Sequence, residues 1–464
     1  MSENYCYAYN MKLRWGHFRV LLVASCGQIL GAIITTLIGV ILPLIKISHI
    51  GGLSSFMQSA ICVSELAGIV IGSVFVGRLT EKYGYLLFFR ISPVIILISS
   101  LSLLFISHIG FLIFILFIIG ICIGSEYAID AAYVSEIMPD KWRFIMVGIT
   151  KGSASLGYVL TALICYVILK KLNSPEYWNF LILLISGMSL IMILTRLKFV
   201  ESPKWLIDNN KKDLAEKDLQ YLLGKDVVIG PHWTKTTKKK EIKQDKQQEP
   251  FINFKNIPRI ILSGIPWACE GVGVYGIGMF TPILLMALHI GPVNVSEYNS
   301  ILFSIETTAF ISLFIVAGFI FGISLQSKIN NILLQTLGFF GSVIGLIILF
   351  IGFHFKLPIW VSLCGFMFFE FALNAGPHLI TFVIPSMIYD IEERSIGEGV
   401  AAAIGKIGAL TGVFFIPFLL KSGGGDSVLI FTIITFLAGG IITSIFGKIV
   451  FGKRKTNSNK ESDN

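Results

Sequence analysis

Runs of twenty or more apolar residues recur along the whole chain. Each is long enough to cross a hydrocarbon core of ~30 Å as a helix. A backbone inside lipid must satisfy its own hydrogen bonds, which leaves helices or a closed barrel, and runs of this length are helical. Twelve spans are expected, near residues 20–45, 55–77, 86–107, 110–134, 144–169, 178–198, 258–286, 300–322, 331–353, 358–384, 396–420 and 427–450. Composition agrees: 54% of residues are hydrophobic and only 14% charged, against about 25% charged in soluble chains. The first run is too long, and lacks the small-residue site, to be a cleavable signal peptide.

The net charge of +9 does not point to nucleic acid, because of where the charge sits. Of the 37 Lys and Arg residues, 29 fall in the terminal tails, in connections after even-numbered spans or at the span ends beside them. Only Lys46, Lys170, Lys171, Lys356 and Lys421 fall in the opposite connections, and three lie within spans. Positive residues stay on the cytoplasmic side, so both termini are expected inside an inner (plasma) membrane. The largest polar interruption divides the spans six and six. The domains expected are 1–198, a first six-helix bundle; 199–256, a cytoplasmic loop; and 257–464, a second bundle with a basic tail. Within the loop, 235–249 reads as mobile, and 213–223 as an amphipathic helix at the membrane surface. Two halves of six suggest a duplication. A glycine stands fourteen residues after Arg143 (Gly157), and another fourteen after Arg394 (Gly408).

One stretch carries a specific signature. Ile118, Gly120, Ile121, Gly124, Tyr133, Glu136 and Arg143 stand at the spacing apolar-x-Gly-apolar-x-x-Gly, eight residues, Tyr, x-x-Glu, six residues, Arg. This resembles the sugar-porter signature of the major facilitator superfamily. Gly77-Arg-Leu-Thr-Glu-Lys-Tyr-Gly84 is similar to that superfamily's loop between the second and third spans. Val200-Glu-Ser-Pro-Lys-Trp-Leu206 looks like its Pro-Glu-Ser-Pro-Arg-Trp-Leu segment. The resemblance implies an all-α membrane protein with the major facilitator fold, twelve transmembrane helices in two six-helix bundles rocking about a midplane site. It also implies a gate in which Gly77, Glu81, Lys82 and Gly84 act with Glu136, Arg143 and, in the second half, Arg394.

Seven carboxylates fall inside spans: Glu65, Glu126, Asp130, Glu270, Glu306, Glu370 and Glu398. Each would cost roughly 2.5–3.5 kcal/mol facing lipid at mid-bilayer, so most must face water, find a partner or be protonated. In the superfamily the first, fourth, seventh and tenth spans line the cavity, which singles out Glu126, Asp130, Glu270 and Glu370 for substrate binding or proton coupling. Asp130 follows Glu126 by four residues and shares its helical face, and Glu370, Asn374 and His378 repeat that spacing. Dehydration favours the neutral form of a carboxyl, which suits loading and release of a proton. Glu65 is expected to reach Arg90, and Glu398 to sit one turn from Arg394, both in structural roles. Lys151 stands where sugar porters place a sugar-binding Gln, and Lys406 where organic-ion transporters place an Arg. They favour an anionic or zwitterionic substrate, or else neutralise Glu126 and Glu370.

The function expected is secondary transport of a small polar metabolite (a sugar, an organic acid or another small organic ion) by proton symport with alternating access. Facilitated uniport or export by the same fold are the alternatives within that class, and a non-transporting nutrient receptor lies outside it. The expected partners are the substrate, protons and the lipid bilayer, with the protein a monomer. With no phosphate-binding loop, nucleophile elbow or metal-ligand spacing, neither an enzyme nor a cofactor or metal is expected.

Overall fold

A computed structural model describes residues 6–48, 53–105, 108–229, 256–292, 294–326, 328–389 and 394–462. Among them, eleven helices are long and apolar enough to cross a membrane: Trp15–Ile47, Ser55–Thr80, Tyr85–Phe105, Ile109–Ile137, Ile145–Leu172, Pro175–Arg196, Ile257–Ala287, Glu297–Gln326, Asn331–His354, Ile359–Ile388 and Ile396–Phe451. The last of these has 56 residues. At 1.5 Å per residue that is about 84 Å of helix, enough for two crossings. Its backbone breaks at Gly424, where φ is 64° and ψ −155°. Before the break, Gly408 packs on Ala268 and Gly412 on Val272; after it, Gly425 meets Phe353 and Gly447 meets Ile332. The two parts therefore lie on different neighbours and form an eleventh and a twelfth span. The chain is all-α in its membrane part, with the twelve-helix major facilitator fold.

The chain gathers into two compact units. One holds Met1–Ile33, Ala67–Gly157 and Ile182–Glu249; the other holds Ile34–Leu66, Tyr158–Leu181 and Pro250–Asn464. In the first unit the first and fifth spans run parallel. The Ser153 hydroxyl donates to the Ser25 carbonyl at 3.3 Å, and one turn further a Cβ on Gly157 would stand 2.6 Å from the Ile29 carbonyl. In the second unit the seventh and eleventh spans run parallel in the same manner, with Gly264 on Ile404, Ala268 on Gly408 and Gly276 on Ile416. The two glycines fourteen residues after Arg143 and Arg394 are thus the points of closest helix approach in equivalent pairs. No side chain larger than hydrogen fits at either.

Two spans are irregular where glycine and proline make them so. The seventh widens to a π-helix over Val272–Ile277, between the α-segments Ile257–Gly271 and Gly278–Ala287. The tenth stops at Ala375, turns at Gly376 and resumes as Pro377–Ile380 and Ile384–Ile388.

The loop after the sixth span carries two short helices, Pro203–Asp208 and Lys212–Leu223. The expected helix at 213–223 is present, but its apolar face is not laid on a membrane. Ala215, Leu219, Leu222 and Leu223 are buried, the last three beside Ala8 and Met11 of the N-terminal segment. Cys6–Tyr7 pairs in parallel with Val227–Val228. The segment 235–249 lies outside the described residues.

Candidate functional site

Buried ionisable groups form one cluster in each unit. In the first unit Glu126 accepts two hydrogen bonds from Arg196, at 2.8 and 2.6 Å. Both side chains are essentially inaccessible, at 0% and 1%. The guanidinium also donates to the Phe89 carbonyl at 3.0 Å and lies 4.5 Å from the centre of the Phe89 ring. Two parallel bonds with a planar guanidinium match carboxylate geometry, as burial of an ion pair requires. Asp130, one turn on, does sit on the same face as Glu126: a Cβ on Gly27 would meet the carboxylates of both. Asp130 takes its bond from Gln28 Nε2 at 2.9 Å, and Gln28 Oε1 accepts from Lys151 Nζ at 3.2 Å. Lys151 also lies 4.9 Å from the centre of the Tyr127 ring. The second oxygen of Asp130 is buried with no hydrogen-bond partner among the described residues.

In the second unit a cavity, part of it open, is lined by hydroxyls, one acid and the apolar side chains of Val274, Ile311 and Ile315. The first, fifth and seventh spans contribute Thr36, Tyr158 and Thr281; the eighth contributes Thr308 and Ser312; the tenth contributes Glu370, Asn374 and His378. Asn374 Nδ2 donates to the Glu370 carbonyl at 2.7 Å and to its carboxylate at 3.3 Å, while Asn374 Oδ1 lies 2.8 Å from His378 Nδ1. The turn at Gly376 therefore keeps Asn374 and His378 one helical turn apart despite Pro377. His378 Nε2 lies 3.8 Å from Glu270 Oε1. Lys406 donates to the Tyr275 hydroxyl at 3.0 Å and stands in the field of Glu270 and Glu65.

Among the expected site residues, the structure thus joins Glu126 with Asp130, Asp130 with Lys151 through Gln28, and Glu370 with Asn374. Glu270 is connected to that last pair through His378. Glu126 is held by the Arg196 guanidinium, and Glu370 accepts from the Asn374 amide. Glu65 takes a bond from Thr35 at 3.0 Å and Arg90 gives one to the Phe199 carbonyl, so each has a partner other than the one expected. Glu306 is exposed.

Of the gate residues, Arg143 pairs with Asp140 at 2.5 Å. Glu136 is bonded by the hydroxyls of Tyr85 (3.2 Å) and Ser202. Lys82 lies over the Tyr83 ring, and Gly77 and Gly84 belong to the second span and its end. Just past Gly84, Glu201 accepts from the backbone N–H groups of Tyr85 (2.8 Å) and Leu86, satisfying donors at the start of the third span. The side chains of Glu81 and Arg394 lie outside the described residues.

Sequence reasoning passed over Arg196, which stands at the end of the sixth span and was counted with the loop charges. It also passed over the hydroxyls of the eighth span. Ser304, Thr308 and Ser312 follow one another at four-residue spacing, a polar stripe on an apolar helix that marks a face turned from lipid.

With this geometry in hand, the likenesses to known proteins fall into place. The family model described as "Sugar (and other) transporter" matches residues 8–453. A repressible high-affinity phosphate permease of Neurospora crassa is 23% identical over 444 residues, covering 86% of this chain and 77% of that protein. The niacin transporter NiaP of Acinetobacter baylyi is 23% identical over 460 residues, covering 96% and 97%. The solved structure of the xylose transporter XylE from E. coli, in a partially occluded inward-open conformation, superposes with a TM-score of 0.75. It is 19% identical and covers 93% of this chain and 97% of that one.

Proposed function

Because this chain belongs to the sugar (and other) transporter family, a family of transporters and not of enzymes, we propose that it carries a small, neutral, hydroxyl-bearing metabolite by proton symport with alternating access. The observation that carries this reading is the lining of the second unit's cavity. Five hydroxyl side chains and the amide of Asn374 line it beside Val274, Ile311 and Ile315, the mixture of apolar wall and a few polar groups that small-molecule sites present. Thr281, Thr308 and Ser312 each donate to a main-chain carbonyl four residues back, so they present acceptor lone pairs to the hydroxyl groups of a polyol. The sole carboxylate there, Glu370, and the histidine beside it supply groups that bind protons. The solved relative named above is a xylose transporter.

A second reading is favoured by Lys406 and by the phosphate and niacin named for two relatives: an anionic substrate approaching that ammonium. It ranks lower because Lys406 and Lys151 already bond Tyr275 and Gln28 and do not line the cavity. We place the protein in an inner membrane as a monomer, with both termini cytoplasmic. Its working halves are the six-span groups on either side of 199–256, with no cofactor.

A thermal-shift screen of the purified protein against sugars, polyols, organic acids and phosphate tests the substrate class. A ligand at a hundred times its dissociation constant stabilises by about 2.7 kcal/mol. Sugars or polyols should stabilise the parent, and Thr308→Val should weaken them. Stabilisation by anions alone, lost in Lys406→Gln, would establish the second reading instead. Uptake of the hit into proteoliposomes under a pH gradient then tests coupling. If Glu126→Gln, Asp130→Asn, Glu270→Gln and Glu370→Gln each keep full proton-driven accumulation, symport through these acids is wrong.

A further inference from the structure

Asn374 decides which nitrogen of His378 carries hydrogen. Its amide nitrogen is committed to the Glu370 carbonyl at 2.7 Å, so the atom facing His378 Nδ1 is its oxygen, at 2.8 Å. An amide oxygen only accepts, so Nδ1 is the protonated nitrogen. In a neutral ring Nε2 then bears a lone pair, and it points toward Glu270 Oε1, 3.8 Å away. Two lone pairs facing each other, one of them on a carboxylate only 4% exposed, repel unless one holds a proton.

The surroundings add to that demand. His378 faces Glu270 of the seventh span. Around Glu270 stand Lys406 from the eleventh, which bonds Tyr275, and Tyr158 from the fifth, with Glu370 of the tenth and Glu65 of the second in the same electrostatic group. The Phe319 ring of the eighth span covers the imidazole at 5.0 Å between centroids. Glu65 and Glu270 thus share the ammonium of Lys406, Glu370 stands with them around Tyr158, and all three carboxylates are at most 4% exposed. Uncompensated buried charge is expensive, so the group is stabilised by taking up a proton. The closest acid–base pair able to hold it is His378 with Glu270.

We propose that His378 and Glu270 jointly hold the coupling proton, and that Asn374 is the positioning residue that aims the imidazole at Glu270. The inference rests on the symport reading above. In the loaded state one proton lies on the pair, as imidazolium beside carboxylate or as neutral ring beside carboxylic acid. On release that proton passes to water, the pair loses one positive charge, and the freed Glu270 carboxylate is left to Lys406. Loading and release therefore redistribute the bonds of the seventh, tenth and eleventh spans.

The test is imidazole ¹⁵N NMR on the full chain in detergent micelles. The chain has 7 histidines, and loss of a signal in His378→Gln assigns the one of interest. The expected deprotonated form has hydrogen on Nδ1, and Glu270→Gln should lower the imidazolium fraction at a fixed pH about tenfold, the effect of removing one nearby opposite charge. Asn374→Leu should move hydrogen toward Nε2, while Asn374→Asp, which keeps an acceptor, should retain it on Nδ1. Melting temperatures of all variants show which are folded, and the Asp variant stands in if the Leu variant is not. Hydrogen on Nε2 in the parent, or a titration indifferent to Glu270→Gln, overturns the proposal. So does a folded His378→Gln protein with undiminished proton-driven accumulation, which would leave symport itself intact. Proton-independent accumulation by the parent would instead refute the symport reading, and with it the coupling role.

Discussion

At the scale of single residues, Arg196 is the side chain whose importance most exceeds its prominence in the sequence. It is one of the largest fully buried side chains, and it holds Glu126 with both nitrogens of its fork. Removing one member of a buried pair strands the other, at a cost of about 3–5 kcal/mol. Replacing both with apolar residues strands no charge, although the Phe89 carbonyl still loses the bond it takes from Arg196. Arg196→Leu should therefore lower the melting temperature sharply, and Arg196→Leu with Glu126→Leu should recover most of the loss. A double variant as unstable as the single one would show that the pair does more than satisfy its own charges. The acids of the fourth and tenth spans were legible because charge is rare in apolar runs. Arg196 was not, since an arginine at the edge of a span looks like an ordinary interfacial residue until the fold turns it inward.

At the scale of elements, the N-terminal segment and the loop helix Lys212–Leu223 stabilise each other. Arg14 bonds both carboxylate oxygens of Asp226, at 2.6 and 2.5 Å, and the Leu223 carbonyl at 2.9 Å. Just beside them Cys6–Tyr7 pairs with Val227–Val228. The hydrogen bond from Arg14 leads in holding the Asp226 carboxyl down, from 3.8 to about 2. A carboxyl depressed in the folded state contributes stability above its unfolded value and loses it as pH falls through the folded one. Hydrogen exchange at the Val227 and Val228 amides should therefore be faster in Arg14→Ala than in the parent. That difference should be constant from neutral pH to about 4, and should close as pH approaches 2. A difference that disappeared near neutrality would assign the docking to some other group. Salt should narrow it as well, because the pair is partly exposed. The sequence foretold the helix from its apolar spacing, but spacing does not say whether an apolar face meets lipid or protein. Ala8 and Met11 supply the protein.

At the scale of the whole molecule, the inside-positive reading predicts that reporter fusions after Asn464 and within 235–249 both report cytoplasm. A periplasmic signal from either would reverse the orientation. The sequence by itself determined the class of molecule. Apolar run lengths set the spans, because hydrocarbon forbids unsatisfied backbone, and the motif at Ile118–Arg143 set the family. The glycines at equal offsets from Arg143 and Arg394 marked two equivalent helix contacts, since close approach tolerates no larger residue. The glycines after Glu270 stand where the seventh span widens to a π-segment. What only the tertiary structure decided is who partners whom. A buried charge must be answered by whichever donor the packing delivers, and those donors lie far away in the chain: Arg196 for Glu126 across 70 residues, Gln28 for Asp130 across 102. Spacing along one helix reveals a shared face, as it did for Glu370, Asn374 and His378. It carries no information about the neighbouring helix, and the identity of Glu270 as the group facing His378 is set there.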